Sequence, residues 1–395
     1  MKSVDQATRL VLRHAAVFPA ERVPVVSAAG RVLREFIKAD RDFPPYDRSK
    51  MDGIAIAAGG REFRVERTLA AGRPGGALKH RRSGCVRIMT GAVIPRGCDS
   101  VVPSEHYIVR GGWVLLNEDV RVEKGQFIHR RGADRKKGDT LLKPGAVLGG
   151  PGMAVAVTAG KTHVHVTRRP RIVVVSTGDE LVAIGERARP FEVRPSNAHG
   201  IRTALVGWGF PEVTLAHVRD DREKVLRVLK RALAKADVLI TTGGVSEGDV
   251  DYVPSVLREL GVRKIFHRVS QRPGKPLWFG IGPRGQRVFG LPGNPVSTLT
   301  CLRRYVLPAL VVAAGVRLTG PEKVLLGRKV TGLKRLTYFA PVRVRQDGKG
   351  RIVAEPVRYG GSGDLAALSD SDGFVELPPT PRPYRAGALV NYFGW

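Results

Sequence analysis

The chain has 395 residues, with 66 Lys+Arg against 36 Asp+Glu and a formal net charge of +30 with His neutral. That length suggests two to four domains of roughly 100–200 residues each, and a hydrophobic share of 43% can bury sizeable cores, which excludes wholesale disorder. Glycine (47) and proline (27) are abundant without a Gly-X-Y period, so they mark turns and exclude a collagen-like chain.

The elements follow in chain order. Ser3 and Gln6 fit a capping box, and Ala7, Leu10, Val11 and Ala15 line one face of a first helix. Charges interrupt every apolar run there, so the segment reads as neither signal peptide nor membrane span. Residues 21–40 read as short strands ending in a Pro/Asp loop, and about 50 to 132 as a small β-domain of apolar pieces between Gly and Pro. Residues 133–166 are Gly- and Val-rich without helical periodicity.

The character changes at Arg171. Ile172-Val173-Val174-Val175 is a buried-strand run. Asn197 is expected to cap a helix carrying Ile201, Ala204, Leu205 and Trp208 on one face, stopped by Gly209. A strand at Val213–Val218, a helix over 221–235 with Val225, Leu226, Leu229 and Leu233 inward, a strand at 238–240 and a short helix over 252–260 follow. Val288–Leu291 then leads into a last helix over 295–314. Alternation of this kind predicts a parallel sheet covered on both faces. Beyond residue 319 the texture is β again, with a hairpin signal at Asp347-Gly348. The longest apolar stretch, Val306 to Ala314, falls short of the about 20 residues that cross a bilayer, so a soluble, cytoplasmic protein is expected. Cys85, Cys98 and Cys301 lack metal-ligand spacing and leave an odd one over, which makes a reducing compartment the default.

Ligands of an open parallel sheet bind outside the carboxyl ends of its strands, and polar, Gly-rich loops follow three of them. Ser176-Thr177-Gly178-Asp179-Glu180 is the first. Thr242-Gly243-Gly244-Val245-Ser246 runs on to Asp249 and Asp251. Leu291-Pro292-Gly293-Asn294-Pro295 opens the last helix with backbone N–H groups free for an anion. Glu180, Asp249 and Asp251 would gather at one sheet edge, which suits Mg²⁺ beside a phosphate; equally, these acids could simply balance surface Arg and Lys. Gln271-Arg272-Pro273-Gly274-Lys275-Pro276 would hold two cations in a rigid loop fit for an oxyanion. The basic residues are spread throughout rather than gathered in a tail, so the charge reads as a solvated cationic surface that draws in anionic small molecules, with no specific nucleic-acid readout. The alternation in His163-Val164-His165 reads as one exposed strand face rather than a metal site.

Taken in order, these segments resemble the molybdopterin molybdenumtransferase family, MoeA in bacteria and the gephyrin E domain in animals. The resemblance spans nearly the whole chain. It runs from Phe43-Pro44-Pro45-Tyr46-Asp47-Arg48-Ser49-Lys50-Met51-Asp52-Gly53 through Ile88-Met89-Thr90-Gly91-Ala92, the loops above, and Gly361-Ser362-Gly363. It implies a multidomain α/β plus β architecture, an elongated homodimer. Residues 1–39 with 133–167 would be a linking domain, 40–132 a small β-domain, 168–318 the parallel-sheet molybdopterin-binding α/β domain and 319–395 a C-terminal β-domain. Family members insert molybdenum from molybdate into adenylylated molybdopterin with Mg²⁺-dependent release of AMP. Carried over by motif, the catalytic candidates are Asp52, Thr90, Glu180, Asp220, Asp251 and Lys275. The binding candidates are Thr177, Gly178, Gly243, Gly244, Ser246, Arg272, Pro292, Gly293, Asn294 and Pro295; the metal candidates are Glu180, Asp249 and Asp251. Asp52 and Thr90 would act from the other subunit, and a molybdopterin adenylyltransferase would be a natural donor. The chain departs from the family pattern at Arg272 (usually Lys), Pro195 (usually Asp) and Ala133 (usually acidic). Rival readings are a lone molybdopterin adenylyltransferase, which the flanking β-regions argue against, a non-catalytic scaffold or carrier, a tungstate-using insertase, and a nucleic-acid-binding protein resting on charge alone.

Overall fold

Four apolar runs, at 172–177, 213–218, 238–242 and 287–291, hydrogen-bond side by side in parallel register, with Ser176 opposite Thr242 and Thr242 opposite Leu291. Even and odd positions of these strands bury in different cores. Ile172, Val174, Ile240 and Phe289 pack with Ile201, Leu205 and Tyr305, while Val173, Val175, Leu239 and Val288 pack with Val225, Leu229 and Leu257. Burial on both faces is what a sheet sandwiched between helices requires. The computed structural model describes residues 1–245 and 252–395.

The sheet has six strands, not four, and is mixed rather than parallel throughout. Its order is Val213–Val218, Ile172–Thr177, Val238–Thr242, Arg287–Leu291, Trp278–Ile281, Arg263–His267. The last two pair antiparallel. The cause is connection length: residues 282–286 join two neighbours by a tight turn, closed by Gly282 N–H donating to Gln286 O at 2.8 Å. A parallel pairing needs a crossover of a dozen residues or more.

Two helix expectations change. The helix expected to start at Asn197 runs Ser196–Gly207 with Pro195 at its N-cap and no side-chain cap bond, which frees the Asn197 side chain for other partners. The apolar helix expected over 295–314 is one run, Pro295–Ala313, with a π-helical turn at Leu302–Val306. At 19 residues and mean hydropathy 1.3 over its most apolar window, it is long and apolar enough to cross a membrane by length and composition alone, as the core helix of a folded domain also can be. Of that window, 67% is buried inside the protein. The helices Arg222–Lys235, capped by Asp221, and Val253–Glu259 lie where the periodicity put them. The first helix, Val4–Arg13, forms its capping box and buries Val4, Ala7 and Val11.

The chain divides into two units. The first comprises Met1–Arg22, Gly30–Val32 and His165–Trp395, and besides the mixed sheet it contains a C-terminal barrel-like sheet. There Thr337–Gln346, Ile352–Pro356, Glu322–Leu326, Leu389–Gly394 and Gly373–Leu377 pair in sequence, and the last pairs back to the first. Val324, Leu326, Val342, Val375 and Val390 fill it. The expected hairpin forms at Asp347, whose carboxylate accepts from the Lys349 and Arg351 N–H groups at 2.9 Å each. The second unit, Val23–Ala29 and Leu33–Val164, carries a six-stranded sheet in the order Ser100–Pro103, Gly53–Ile56, Gly84–Ile88, Glu62–Leu69, Trp113–Leu116, Tyr107–Arg110. It also holds a helix, Gly150–Thr158, in the stretch where no helical period was visible. That sequence, GPGMAVAVT, is apolar or small on every side, so no periodic face announces the helix.

Candidate active site

A cleft of about 1050 Å³ opens where the four parallel strands end. Its floor is made by the Thr177-Gly178 and Gly243-Gly244 turns. Gly243 and Gly244 have φ of +88° and +61°, the left-handed region that glycine enters without penalty. They also sit too close to the neighbouring strand for a side chain: a Cβ on Gly243 would fall 2.7 Å from the Thr177 carbonyl oxygen, and one on Gly244 would fall 2.8 Å from Thr177 Oγ1. A bound molecule can therefore approach bare backbone at this point.

Beside these glycines stand two hydroxyls with nothing to bond. Ser176 and Thr177 are 2% and 4% exposed, and neither Oγ has a hydrogen-bond partner among the described residues. Buried polar groups left unpaired cost about 1–3 kcal/mol each, so two at one cleft floor mark a place where a ligand supplies the missing bonds. Asn197 adds a third. Its Nδ2 donates to Gly293 O at 2.6 Å and Thr242 Oγ1 at 3.1 Å, while its Oδ1 is buried and unpartnered. Sequence reading saw Asn197 only as a cap; the cleft was not visible because Thr242 and Gly293 lie 45 and 96 residues away.

One wall comes from the Pro292-Gly293-Asn294-Pro295 segment. Asn294 is the N-cap of the Pro295–Ala313 helix but makes no cap bond; its Nδ2 donates instead to Ser362 Oγ at 2.8 Å, and Val296 N–H donates to Ser362 O at 3.1 Å. The opposite wall carries Arg272 and Lys275, both exposed, on a loop whose Gln271–Arg272 backbone pairs in parallel with Thr337–Tyr338 of the barrel. Tyr359, also from the barrel segment, lines the same cleft with an unpartnered hydroxyl. Burial, with Tyr338 adding to it, pushes its phenol up to about 12, so it is a neutral donor at ordinary pH. No motif announced Tyr359.

Glu180 and Asp220 also line the cleft; the Glu180 carboxylate is folded back against Gly178, where a Cβ would stand 2.5 Å from Oε2. The cleft thus gathers twelve of the sequence candidates: Thr177, Gly178, Glu180 and Asp220; Gly243, Gly244, Arg272 and Lys275; Pro292, Gly293, Asn294 and Pro295. Ser246, Asp249 and Asp251 lie outside the described residues. Among the described residues no group of three or more His, Cys, Asp or Glu could hold a metal ion.

Asp52 and Thr90 belong to the second unit, and it brings them together across 38 residues. The Thr90 N–H and Oγ1 donate to Asp52 Oδ1 at 2.6 and 2.7 Å. These two bonds, the backbone one foremost, hold the Asp52 carboxyl below the usual carboxylate range. Gly53 follows directly, and a Cβ there would overlap the Val102 carbonyl, so the Asp52 turn is fixed by strand packing.

These features define a multidomain protein with an anion-receptive α/β module, its cleft walled on one side by a barrel-like domain. Three family models match in order: the MoeA N-terminal region (domain I and II) over residues 2–160, a probable molybdopterin binding domain over 173–311 and the MoeA C-terminal region (domain IV) over 323–395. A molybdopterin molybdenumtransferase of Synechocystis is 39% identical, covering 100% of both chains, and one of Bacillus subtilis is 30% identical over 98% of this chain and 93% of its own length. A solved structure of the Pyrococcus horikoshii molybdopterin biosynthesis MoeA protein has a TM-score of 0.81 at 26% identity and covers 100% of both chains. The chain belongs to the MoeA, or molybdopterin molybdenumtransferase, family.

Proposed function

We propose that the protein is a transferase of molybdenum cofactor biosynthesis that binds adenylylated molybdopterin in this cleft, inserts molybdenum from molybdate into its dithiolene, and releases AMP. The observation that carries the reading is the pair of unpartnered, buried hydroxyls of Ser176 and Thr177 at the floor of a cleft whose wall presents Arg272 and Lys275. An anionic, oxygen-rich substrate answers both features at once.

In this reading Ser176, Thr177 and Asn197 bond the bound substrate, and Gly243 and Gly244 let its phosphates lie against backbone. Arg272 and Lys275 hold the oxyanion and stabilise charge on the phosphoryl group as AMP leaves. Arg272 differs from a lysine in offering a planar fork of donors. Tyr359 donates from the barrel side. Glu180, with Asp249 and Asp251, would hold Mg²⁺, which when bound supplies charge neutralisation at phosphate oxygens; Asp220 lines the same cleft as Glu180. Among the described residues alone there is no cluster that could hold the ion. Asp52 and Thr90 serve the reaction from a second copy of the chain in a homodimer. The linking, small β-, α/β and C-terminal divisions at 1–39 with 133–167, 40–132, 168–318 and 319–395 belong to the same reading. So do a cytoplasmic location and an adenylyltransferase donor.

The test is AMP release from adenylylated molybdopterin with Mg²⁺, with and without molybdate. Release that depends on molybdate and yields active cofactor supports the reading, and tungstate in its place reports the preferred oxyanion. Tight substrate binding without release would instead make the protein a carrier.

A further inference from the structure

Beneath the Arg272–Lys275 loop lies a buried amide that the motif reading passed over. Gln271 is 0% exposed. Its Nε2 donates to the carbonyls of Pro273 at 3.2 Å and Gly274 at 3.1 Å, and lies 3.4 Å from Cys301 Sγ. Its Oε1 accepts from the hydroxyl of Tyr305, itself 1% exposed. One side chain therefore ties two successive carbonyls of the loop to the core helix Pro295–Ala313.

The fit around it is tight. Gly274 has φ of +86°, and a Cβ there would stand 2.5 Å from Cys301 Sγ and 2.7 Å from Gln271 Nε2. Burial pushes the Cys301 thiol up to about 12, so it fills space as a neutral group. The loop is held by its backbone to the barrel through Thr337–Tyr338, by Val269 N–H donating to Lys275 O at 2.9 Å and Leu277 N–H to Gly274 O at 3.3 Å, and by the Gln271 amide, the one side chain among the described residues that reaches both Pro273 O and Gly274 O. Arg272 and Lys275 flank the two carbonyls that the amide holds.

We propose that Gln271 is a positioning residue for oxyanion binding: its amide fixes the separation and direction of the Arg272 and Lys275 cations without touching the ligand. The proposal rests on the reading that this loop holds molybdate. A flexible pair of cations must lose conformational freedom on binding an ion, whereas a pre-set pair does not; Gln271 supplies the setting. An apolar side chain of similar size would fill the space but take the amide donor from the Pro273 carbonyl and leave Gly274 O, among the described residues, only the Leu277 N–H at 3.3 Å and the Cys301 thiol at 3.7 Å.

Calorimetric titration of the full-length protein with molybdate, and separately with adenylylated molybdopterin, tests this. Gln271→Leu is expected to weaken molybdate binding about tenfold while leaving the pterin substrate within about twofold, as two ordinary hydrogen bonds lost from one loop would do. Tyr305→Phe keeps the ring and removes only the bond to Oε1, so its loss is smaller. In Gln271→Glu a carboxylate faces two carbonyls; molybdate affinity falls further at about pH 8 and recovers toward about pH 6 as the neutral carboxyl regains a donor, against a wild-type control over the same range. A merely structural role moves neither the ligand selectivity nor this pH profile. Unchanged molybdate affinity in Gln271→Leu, or parallel loss of both ligands without pH recovery in Gln271→Glu, overturns the proposal. So does wild-type affinity in Lys275→Ala, which would also remove molybdate from this loop. If wild type binds molybdate through Lys275 yet releases no AMP, the functional reading falls and the Gln271 assignment stands on binding alone.

Discussion

The glycine pair at 243–244 has two independent reasons to be glycine, a positive φ and a neighbouring strand within a Cβ radius. Gly244→Ala must push Thr177 Oγ1 from 2.8 Å and adopt a strained backbone, a cost of about 1–3 kcal/mol. Its larger effect is expected on the substrate, whose place against backbone the methyl group takes: KM for adenylylated molybdopterin should rise at least about tenfold, more than the loss of stability explains. Steady-state kinetics beside a urea melt separates the two. Tyr359→Phe isolates the other residue-scale claim. Removing one buried hydroxyl that has no partner among the described residues should raise stability, by at most about 1–3 kcal/mol, and lower kcat/KM by about tenfold if that hydroxyl donates to the ligand. These residues also divide what was legible. Gly243, Lys275 and Asn294 sit in motifs whose local chemistry points to a ligand. Tyr359 and the Asn197 amide acquire their meaning only from partners or neighbours tens of residues away, and no local pattern encodes that.

At the scale of elements, two charged clusters join pieces of the first unit. Asp237, just before the Val238–Thr242 strand, accepts from Arg168 Nη1 and Nη2 at 2.9 Å each and from Arg171 N–H at 2.8 Å, tying the entry of two neighbouring strands. Burial opposes its ionisation, but these donors outweigh burial and hold the carboxyl below its ordinary 3.8. A depressed folded value means the stabilisation is present above the unfolded value and is lost as pH falls through the folded one. Asp237→Asn should therefore destabilise by about 1–2 kcal/mol at pH 7, and the gap from wild type should close as melts are taken below about pH 4. Arg304, in the π-helical turn, donates to Glu376 Oε2 and to Thr8 Oγ1 at 2.6 and 2.9 Å. That joins the core helix to the barrel and the first helix. Glu376→Gln leaves the guanidinium buried without its counter-charge and should cost about 3–5 kcal/mol in a denaturant melt. The elements themselves were mostly legible, because apolar periodicity at 172–175, 222–235 and 295–313 reports burial directly. Three features were not. The Gly150–Thr158 helix has no polar side to set a period. The antiparallel edge depends on a short turn at 282–286 that the reading did not recognise. The apolar stretch counted from Val306 was bounded by the half-buried Arg303 and the buried Arg304, although the helix runs on through them.

At the scale of the whole molecule the outstanding quantity is the formal charge of +30. None of the site chemistry requires so much, since the cleft itself presents Arg272 and Lys275 against Glu180 and Asp220. What a field of this sign does is raise the local concentration of anions and speed their arrival. Both substrates of the proposed reaction are anions, so the field acts on encounter rather than on chemistry. Screening sets in once the Debye length falls to about 10 Å, near 0.1 M salt. Raising KCl from about 20 to about 300 mM should therefore raise KM for adenylylated molybdopterin several-fold while kcat stays within about twofold. The same titration answers the nucleic-acid reading: binding to duplex DNA driven by phosphate contacts alone weakens steeply over this range and shows no sequence preference. A kcat that fell as KM rose would place the charges in the reacting complex and not around it. The cationic surface would then have to be explained at the level of Arg272 and Lys275, not of the molecule.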